Sequence, residues 1–416
     1  LRSALDQLSL LYSVANPFIA HVAAVDYAPS AARGLVTDYA TALTVAEELG
    51  LGLVSSSSPY EAQHMSLFST ILATVLPTIH IYDGVNVGRD TLRVIDVLNQ
   101  SGLDSAYKNV LKEVSKVSKR ADAETKAAHV LDAFNNELGT AYGLFEYRGS
   151  NAAETVLVVF GSVESSLAGQ VSEKLASEGT NVGVITVRVY RPFSEEAFLK
   201  VLPASVSTIA VLGQVVDQTA VTDESTHSNL YEDVLAATVF SDKWRAPPAV
   251  VDLKYSRAET LTPSSMAGYF QKFAVKSLDE AASIELLSSS QTEQYTFWDV
   301  QDSAASTAPV AISKLLSGDS ASNVVLSQTH DNLVQGGTVR TDIRTSKKSV
   351  DSFYPIEEAD VAVVGEEKLL KQVAIVKSIK PGGSLILSLP GVKDEDLEKK
   401  LSASVRNDIK FRSISL

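Results

Sequence analysis

The sequence predicts an α/β protein of three α/β units in series with mostly parallel sheets. Three observations carry that reading. Short β-branched runs alternate with amphipathic stretches from end to end, the pattern of parallel strands joined by crossover helices. A length of 416 residues corresponds to roughly three domains at about 150 residues each. Breaks at Tyr147–Ser150 and at the serine run Ser288–Ser290 divide the chain into segments 1–150, 151–287 and 288–416.

In the first segment, Ile19–Val25, Leu51–Ser55 and Thr78–Tyr82 read as strands. Asp38–Leu49 and Tyr60–Val75 lie between them at helical spacing, and Ser105–Ser118 and Ala123–Leu138 follow as helices. The last two hold most of the local Lys and Glu, which reads as a solvated helical face. In the second segment, Thr155–Phe160, Val182–Val189, Thr208–Leu212 and Ala249–Leu253 are strands. Helices are expected at Glu164–Ser177, Ser194–Val201 and Leu230–Ser241, with Gly213–Ser228 a polar loop. Val156–Phe160 and Ile209–Leu212 are apolar throughout, as central strands covered on both faces require. In the third segment, Asn323–Ser327, Val361–Val364 and Ser384–Leu389 read as strands, and Val310–Leu316, Glu366–Ser378 and Asp394–Leu401 as helices.

Composition excludes several function classes. Apolar residues make up 45% and charged residues 21%, which is ordinary for a globular chain and argues against wholesale disorder. Thirty-six basic against 50 acidic residues give a net charge of −14 without an acidic tail. Such a chain has little with which to neutralise a phosphate backbone, so nucleic-acid binding is not its main expected task. No apolar run approaches the roughly 20 residues of a membrane-spanning helix. Cysteine is absent, so disulfides, thiolate metal sites, cysteine-held clusters and catalytic thiols within this chain are excluded. The opening Leu1-Arg2-Ser3-Ala4 has neither initiator Met nor signal sequence, which gives the expectation of a piece of a longer chain. Asn99-Gln100-Ser101 fits a glycosylation sequon, but such triplets arise often by chance.

The search for chemistry returns little. No G-x-x-x-x-G-K-[ST], H-E-x-x-H or G-x-S-x-G pattern occurs. The six histidines (His21, His64, His80, His129, His227 and His330) are scattered and read as packed or surface side chains. Lys380-Pro381-Gly382-Gly383 before an apolar run resembles the later half of an S-adenosylmethionine-dependent methyltransferase, but no Gly-rich loop precedes it. It reads as a turn. Two strand ends remain. Gly161-Ser162 leaves an apolar run and opens a helix, whose N–H groups could receive an anion. Asp83-Gly84 also sits where open α/β sheets place ligands. The competing reading of each is a tight turn, and Asp83, Gly84, Gly161 and Ser162 stand as candidates for a remnant pocket.

Longer stretches resemble a known family. Gly50–Met65 followed by Leu76–Gly84 is similar to the first domain of pyruvate:ferredoxin (flavodoxin) oxidoreductases, with its Ser-rich turn and a strand ending F-F-D-G. Ala153–Ser162 and Val187–Phe193 resemble the second domain, where A-E-R-V…G-S and V-R-L-Y-R-P-F recur. Gly336–Val339, Glu358–Val361 and Ile379–Gly383 resemble the third. The resemblance implies a degenerate, partial thiamine-enzyme pyrimidine-domain-like unit at 1–150. It further implies a transketolase C-terminal-like unit at 151–287 and an oxidoreductase gamma-like unit at 288–416.

The departures point to one branch of that family. Its H-V-T-A-R, whose Arg holds the substrate carboxylate, is matched here by His21-Val22-Ala23-Ala24-Val25, and valine cannot make that charge-assisted pair. The Gly-rich stretch after F-W is replaced by Asp299–Ala308, and no thiamine-diphosphate or cluster domain has a counterpart. Gly34–Leu43, Tyr82–Asn86, Phe160–Ser165 and His330–Leu333 instead resemble the amino-terminal region of the flavoprotein (alpha) subunits of fungal assimilatory sulfite reductase (NADPH). That resemblance implies a non-catalytic structural or docking region with no catalytic, cofactor or metal residues of its own. The full enzyme would use FAD, FMN and NADPH, reduce sulfite to sulfide for cysteine and methionine synthesis, and be cytoplasmic. The implied partner is the sirohaem-containing beta subunit, with a homo- or hetero-oligomeric assembly and neither nucleic acid nor membrane. The alternative is a piece of a 2-oxoacid (pyruvate):ferredoxin/flavodoxin oxidoreductase.

Overall fold

The computed structural model describes residues 5–11, 16–28, 34–88, 91–92, 97–274, 284–287, 290–348, 350, 352–388, 391–393, 396 and 399–416. By backbone contacts the chain forms two compact units, one of residues 1–26, 36–88 and 94–284, the other of 27–35, 89–93 and 285–416.

The larger unit holds two sheets. After the short helix α1 (Leu5–Leu8) come β1 (Ile19–Ala24), the paired two-residue strands β2 (Asp26–Tyr27) and β3 (Leu35–Val36), and α2 (Ala40–Leu49). β4 (Gly52–Ser55), α3 (Pro59–Leu72) and β5 (Thr78–Asp83) follow. Ser58 starts α3 by accepting the Glu61 N–H, with Pro59 in the first turn where its missing N–H costs nothing. After β6 (Thr91–Leu92), which belongs to the smaller unit, α4 (Gln100–Val114) and α5 (Ala123–Leu138) pack on each other and on α3. The sequon asparagine, Asn99, is the cap of α4 and accepts the Gly102 N–H. α5 runs between the Asp122 cap and left-handed Gly139, and its bounds are those the sequence predicts. Its inner face is Ala127, Val130, Leu131 and Phe134, so the charged face is the solvated one.

The chain goes on through β7 (Phe145–Gly149), β8 (Thr155–Val159), α6 (Ser162–Ser177), β9 (Val182–Val187), β10 (Val189–Arg191), α7 (Glu195–Val201) and β11 (Thr208–Val215). It continues through α8 (Gln218–Thr222), α9 (Asn229–Val239), β12 (Ala249–Ser256) and α10 (Pro263–Ala274). The first sheet runs β1-β5-β4-β10 and the second β12-β11-β8-β9-β7, each parallel with one antiparallel edge strand. Val156–Val159 and Ile209–Leu212 are interior strands with essentially no exposed surface, as expected. One hydrophobic cluster runs from Ala24 to Ala237 through both sheets. The segment Gly213–Ser228 is corrected: β11 extends through it to Val215, and Asp217 caps α8 by accepting the Ala220 N–H.

The smaller unit departs furthest from a parallel reading. β13 (Thr292–Val300), α11 (Ala308–Leu316), β14 (Asn323–His330), β15 (Thr338–Ser346), β16 (Ala359–Val364), α12 (Leu369–Gln372), β17 (Ile379–Leu387) and α13 (Ala403–Phe411) make it up. Its sheet is mixed, ordered β17-β16-β13-β15-β14-β6, with β15 antiparallel to both neighbours. The expected helix Glu366–Ser378 is two short pieces, α12 and a 3-10 turn at Ile375–Ser378. Pro381–Gly383 is not a turn before a strand but part of β17, where the register against β16 shifts. Ser288, Ser289, Leu389 of the expected strand Ser384–Leu389 and half of the expected helix Asp394–Leu401 lie outside the described residues.

Phe134 is fully buried, with its ring edge-on to Phe68 at 5.9 Å. Phe134→Ala is expected to destabilise the chain by about 3–5 kcal/mol. Lys108→Ala, on the exposed face of α4, should stay within about 0.5 kcal/mol. Urea unfolding followed by circular dichroism measures both.

Candidate functional site

The four strand-end residues singled out in the sequence come together. Asp83 ends β5, and its carboxylate accepts the N–H groups of Val85 (2.8 Å) and Asn86 (2.7 Å) and the Asn86 side-chain amide (2.9 Å). That closes the turn at Gly84. The Asp83 N–H donates to the Ser162 hydroxyl at 3.0 Å, which itself donates to the Ser56 carbonyl at 2.6 Å. The Ser162 N–H donates to the Tyr39 hydroxyl at 3.0 Å. Asp83 and Ser162 are both buried.

Glycine is required at both neighbouring positions. A Cβ on Gly84 would stand 2.5 Å from the Val25 side chain, and one on Gly161 would strike the Glu164 carboxylate and the Tyr39 ring. Gly161 also has φ +119, a backbone that side chains rarely tolerate.

The electrostatics of this junction oppose anions. Glu164, in the first turn of α6, accepts the Tyr255 hydroxyl at 2.8 Å and is buried. Burial, reinforced by the Asp83 carboxylate, pushes its carboxyl up to about 7. Burial also raises Asp83, against its N–H partners, and lifts Tyr39 and Tyr255 well above the ordinary phenol range. A helix N-terminus can cradle phosphate when its N–H groups are open. Here the Ser162 N–H is bound by Tyr39 and a buried carboxyl faces the same turn. The residues present do not fit the diphosphate of thiamine, nicotinamide or flavin cofactors.

Beside this junction lies a cleft of about 440 Å³ lined by Val22–Asp26, Asp38, Ala40–Ala42, Val216 and Arg257. Arg257 Nη1 donates to Asp26 at 2.5 Å and lies 3.4 Å from Asp38, which also holds the Thr41 hydroxyl at 2.7 Å. Val25, which the resemblance sets against the oxidoreductase arginine, is 43% exposed on the cleft wall.

Two clusters escape sequence reasoning. Arg188, 3% exposed, pairs with Glu61 at 2.6 Å and with Glu146, donates to the Gly143 carbonyl at 2.9 Å and lies over the Tyr142 ring. An arginine in the apolar run Val182–Tyr190 was the available signal. His21 and His80 form a pair, adjacent in the β1–β5 register with Nδ1 atoms 3.1 Å apart. One ring must accept, and burial drives His80 down to about 3. Among the described residues, no three His, Asp or Glu side chains are placed to hold a metal ion.

Comparison with known proteins agrees with the resemblance. Residues 153–246 match the family model for pyruvate:ferredoxin oxidoreductase core domain II, and 307–415 that for pyruvate ferredoxin/flavodoxin oxidoreductase. The chain is 27% identical to the sulfite reductase [NADPH] flavoprotein component of Saccharomyces cerevisiae, across 91% of its own length and 34% of that protein's. It is 30% identical to the probable counterpart in Schizosaccharomyces pombe across 63% of its length and 24% of that protein's. It is 25% identical to the probable pyruvate-flavodoxin oxidoreductase of Escherichia coli across 92% and 36%. The chain thus spans roughly a quarter to a third of these relatives. Its resemblance to the oxidoreductase-like region of the fungal flavoproteins is borne out.

The raised Glu164 carboxyl has a signed consequence. Between the ordinary glutamate value near 4.5 and about 7, the unfolded chain ionises first, so this group's contribution is present at low pH and lost as pH rises. Glu164→Gln is expected to remove roughly 1–3 kcal/mol of that pH-dependent loss. Urea melts of both proteins at pH 4.5, 5.5, 6.5 and 7.5 measure the difference.

Proposed function

We propose that this region is a non-catalytic structural and docking part of the flavoprotein subunit of an NADPH-dependent assimilatory sulfite reductase. In that reading FAD, FMN and NADPH are held by other parts of the enzyme, which is cytoplasmic. Electrons pass from NADPH through flavin to a sirohaem-containing beta subunit, which reduces sulfite to sulfide for cysteine and methionine synthesis. The observation that carries the reading is the strand-end junction. The groups that could receive a ligand there, the Ser162 N–H and hydroxyl and the Asp83 carboxylate, are bonded to other parts of the same chain. Val25 adds to this, because an apolar side chain stands where the related oxidoreductases hold a carboxylate. Similarity to the Saccharomyces cerevisiae component across 91% of the chain supports the choice of enzyme.

A second reading, part of a pyruvate:flavodoxin oxidoreductase, is favoured by the similarity to the Escherichia coli protein. Thiamine diphosphate separates the two. Isothermal titration of the chain with thiamine diphosphate and Mg²⁺ is expected to give no heat of binding up to about 1 mM, the edge of what weak sites show. Tight binding would favour the oxidoreductase reading. Sedimentation of the chain with the sirohaem subunit is expected to show a specific complex at micromolar concentration. A chain that sediments alone in that mixture and does not self-associate would end the docking role.

A further inference from the structure

β1 is the unpaired edge of its sheet among the described residues. The Phe18 and Ala24 carbonyls accept the N–H groups of Thr78 and Gly84. In a parallel pair, alternate residues point their backbone groups the same way, so Ala20, Val22 and Ala24 face β5. His21, Ala23 and Val25 turn their N–H and C=O groups outward. Exposed edges are ordinarily blunted by charge, proline or a bulge. From Ile19 to Val25 this edge has none of these. The cleft of about 440 Å³ runs beside its last residues, with Val25 (43% exposed) and Val216 (48% exposed) on its walls. Among the described residues, two carboxylates, Asp26 and Asp38, stand at one end with the guanidinium of Arg257.

We propose that this cleft docks an extended, basic segment of a partner chain, which adds to β1 as a strand and directs a Lys or Arg toward Asp26 and Asp38. The inference rests on the docking role given above. Main-chain hydrogen bonds to Ala23 and Val25 would supply affinity, and the small side chains of Ala23, Ala24 and Ala40 leave room for alternate residues of the added strand. Charge selects the occupant. The trio at the end of the cleft is net negative and the chain carries −14, so a basic segment is attracted and a second copy of this chain is repelled.

The probe is a fluorescent, end-blocked heptapeptide alternating valine with threonine and lysine, compared with the same peptide carrying glutamate for lysine. Anisotropy is expected to show the lysine peptide binding about tenfold or more tighter than the glutamate peptide. Amide exchange at Ala23 and Val25 should slow on binding. Ala23→Pro, which removes an outward N–H that pairs with no β5 residue, and Val25→Lys should each weaken binding about fivefold or more. Circular dichroism checks that both variants fold. Equal binding of the two peptides, no binding at millimolar peptide, binding unchanged in both variants, or protection of the edge by self-association would each overturn the proposal. Failure of the peptide while the chain still sediments with the sirohaem subunit removes the cleft and leaves the docking role standing.

Discussion

The larger unit depends on one buried serine. Ser162 gives its hydroxyl to the end of β4, receives the Asp83 N–H at the end of β5, and gives its N–H to Tyr39. Each of these groups is shut away from water, so losing one bond leaves a buried partner unsatisfied at about 1–3 kcal/mol. Around this point Gly161 must take a left-handed backbone, Glu164 must turn toward Tyr255, and Gly84 must let the end of β5 approach Val25. The ligand-receiving end common to open α/β sheets has thereby become an internal seam.

A second seam runs alongside it. Arg188 on the β9–β10 side reaches Glu61 of α3 and Glu146 of β7, and the Tyr142 ring covers it. Removing both carboxylates would strand a buried cation, and removing the arginine would leave Glu61 buried without its ion-pair partner. Both seams join the segment up to residue 150 to the one that follows, within one hydrophobic cluster. The exposed, uncharged edge of β1 is the feature of this unit that packing leaves unfinished.

Much of the fold was legible where local chemistry and periodicity agree. α5 was read to the residue because Asp122 and left-handed Gly139 bracket a helical stripe. The apolar runs of β8 and β11 announced central strands. β7, β13 and β15 were missed. They are mixed-composition strands whose antiparallel partners, and not their own sequences, decide their state. The break of Glu366–Ser378 into two pieces leaves Leu369, Leu370, Ile375 and Val376 buried against one core, a tertiary requirement that helical spacing does not reveal. At the site, Asp83, Gly84, Gly161 and Ser162 were legible from strand-to-turn chemistry. Tyr39 and Tyr255 were not, because only the fold brings Tyr39 to Ser162 and Tyr255 to Glu164. The His21–His80 pair was hidden for the same reason, since strand register joins residues 59 apart.

The central claim is that the strand-end junction is closed by the chain's own groups. Amide hydrogen exchange at Asp83 and Ser162, with and without millimolar inorganic pyrophosphate, tests it most directly. The account predicts that both amides exchange only with global unfolding and that pyrophosphate leaves them unchanged. Faster, local exchange at Ser162 that pyrophosphate slows would contradict it, because the junction would then open to receive an anion.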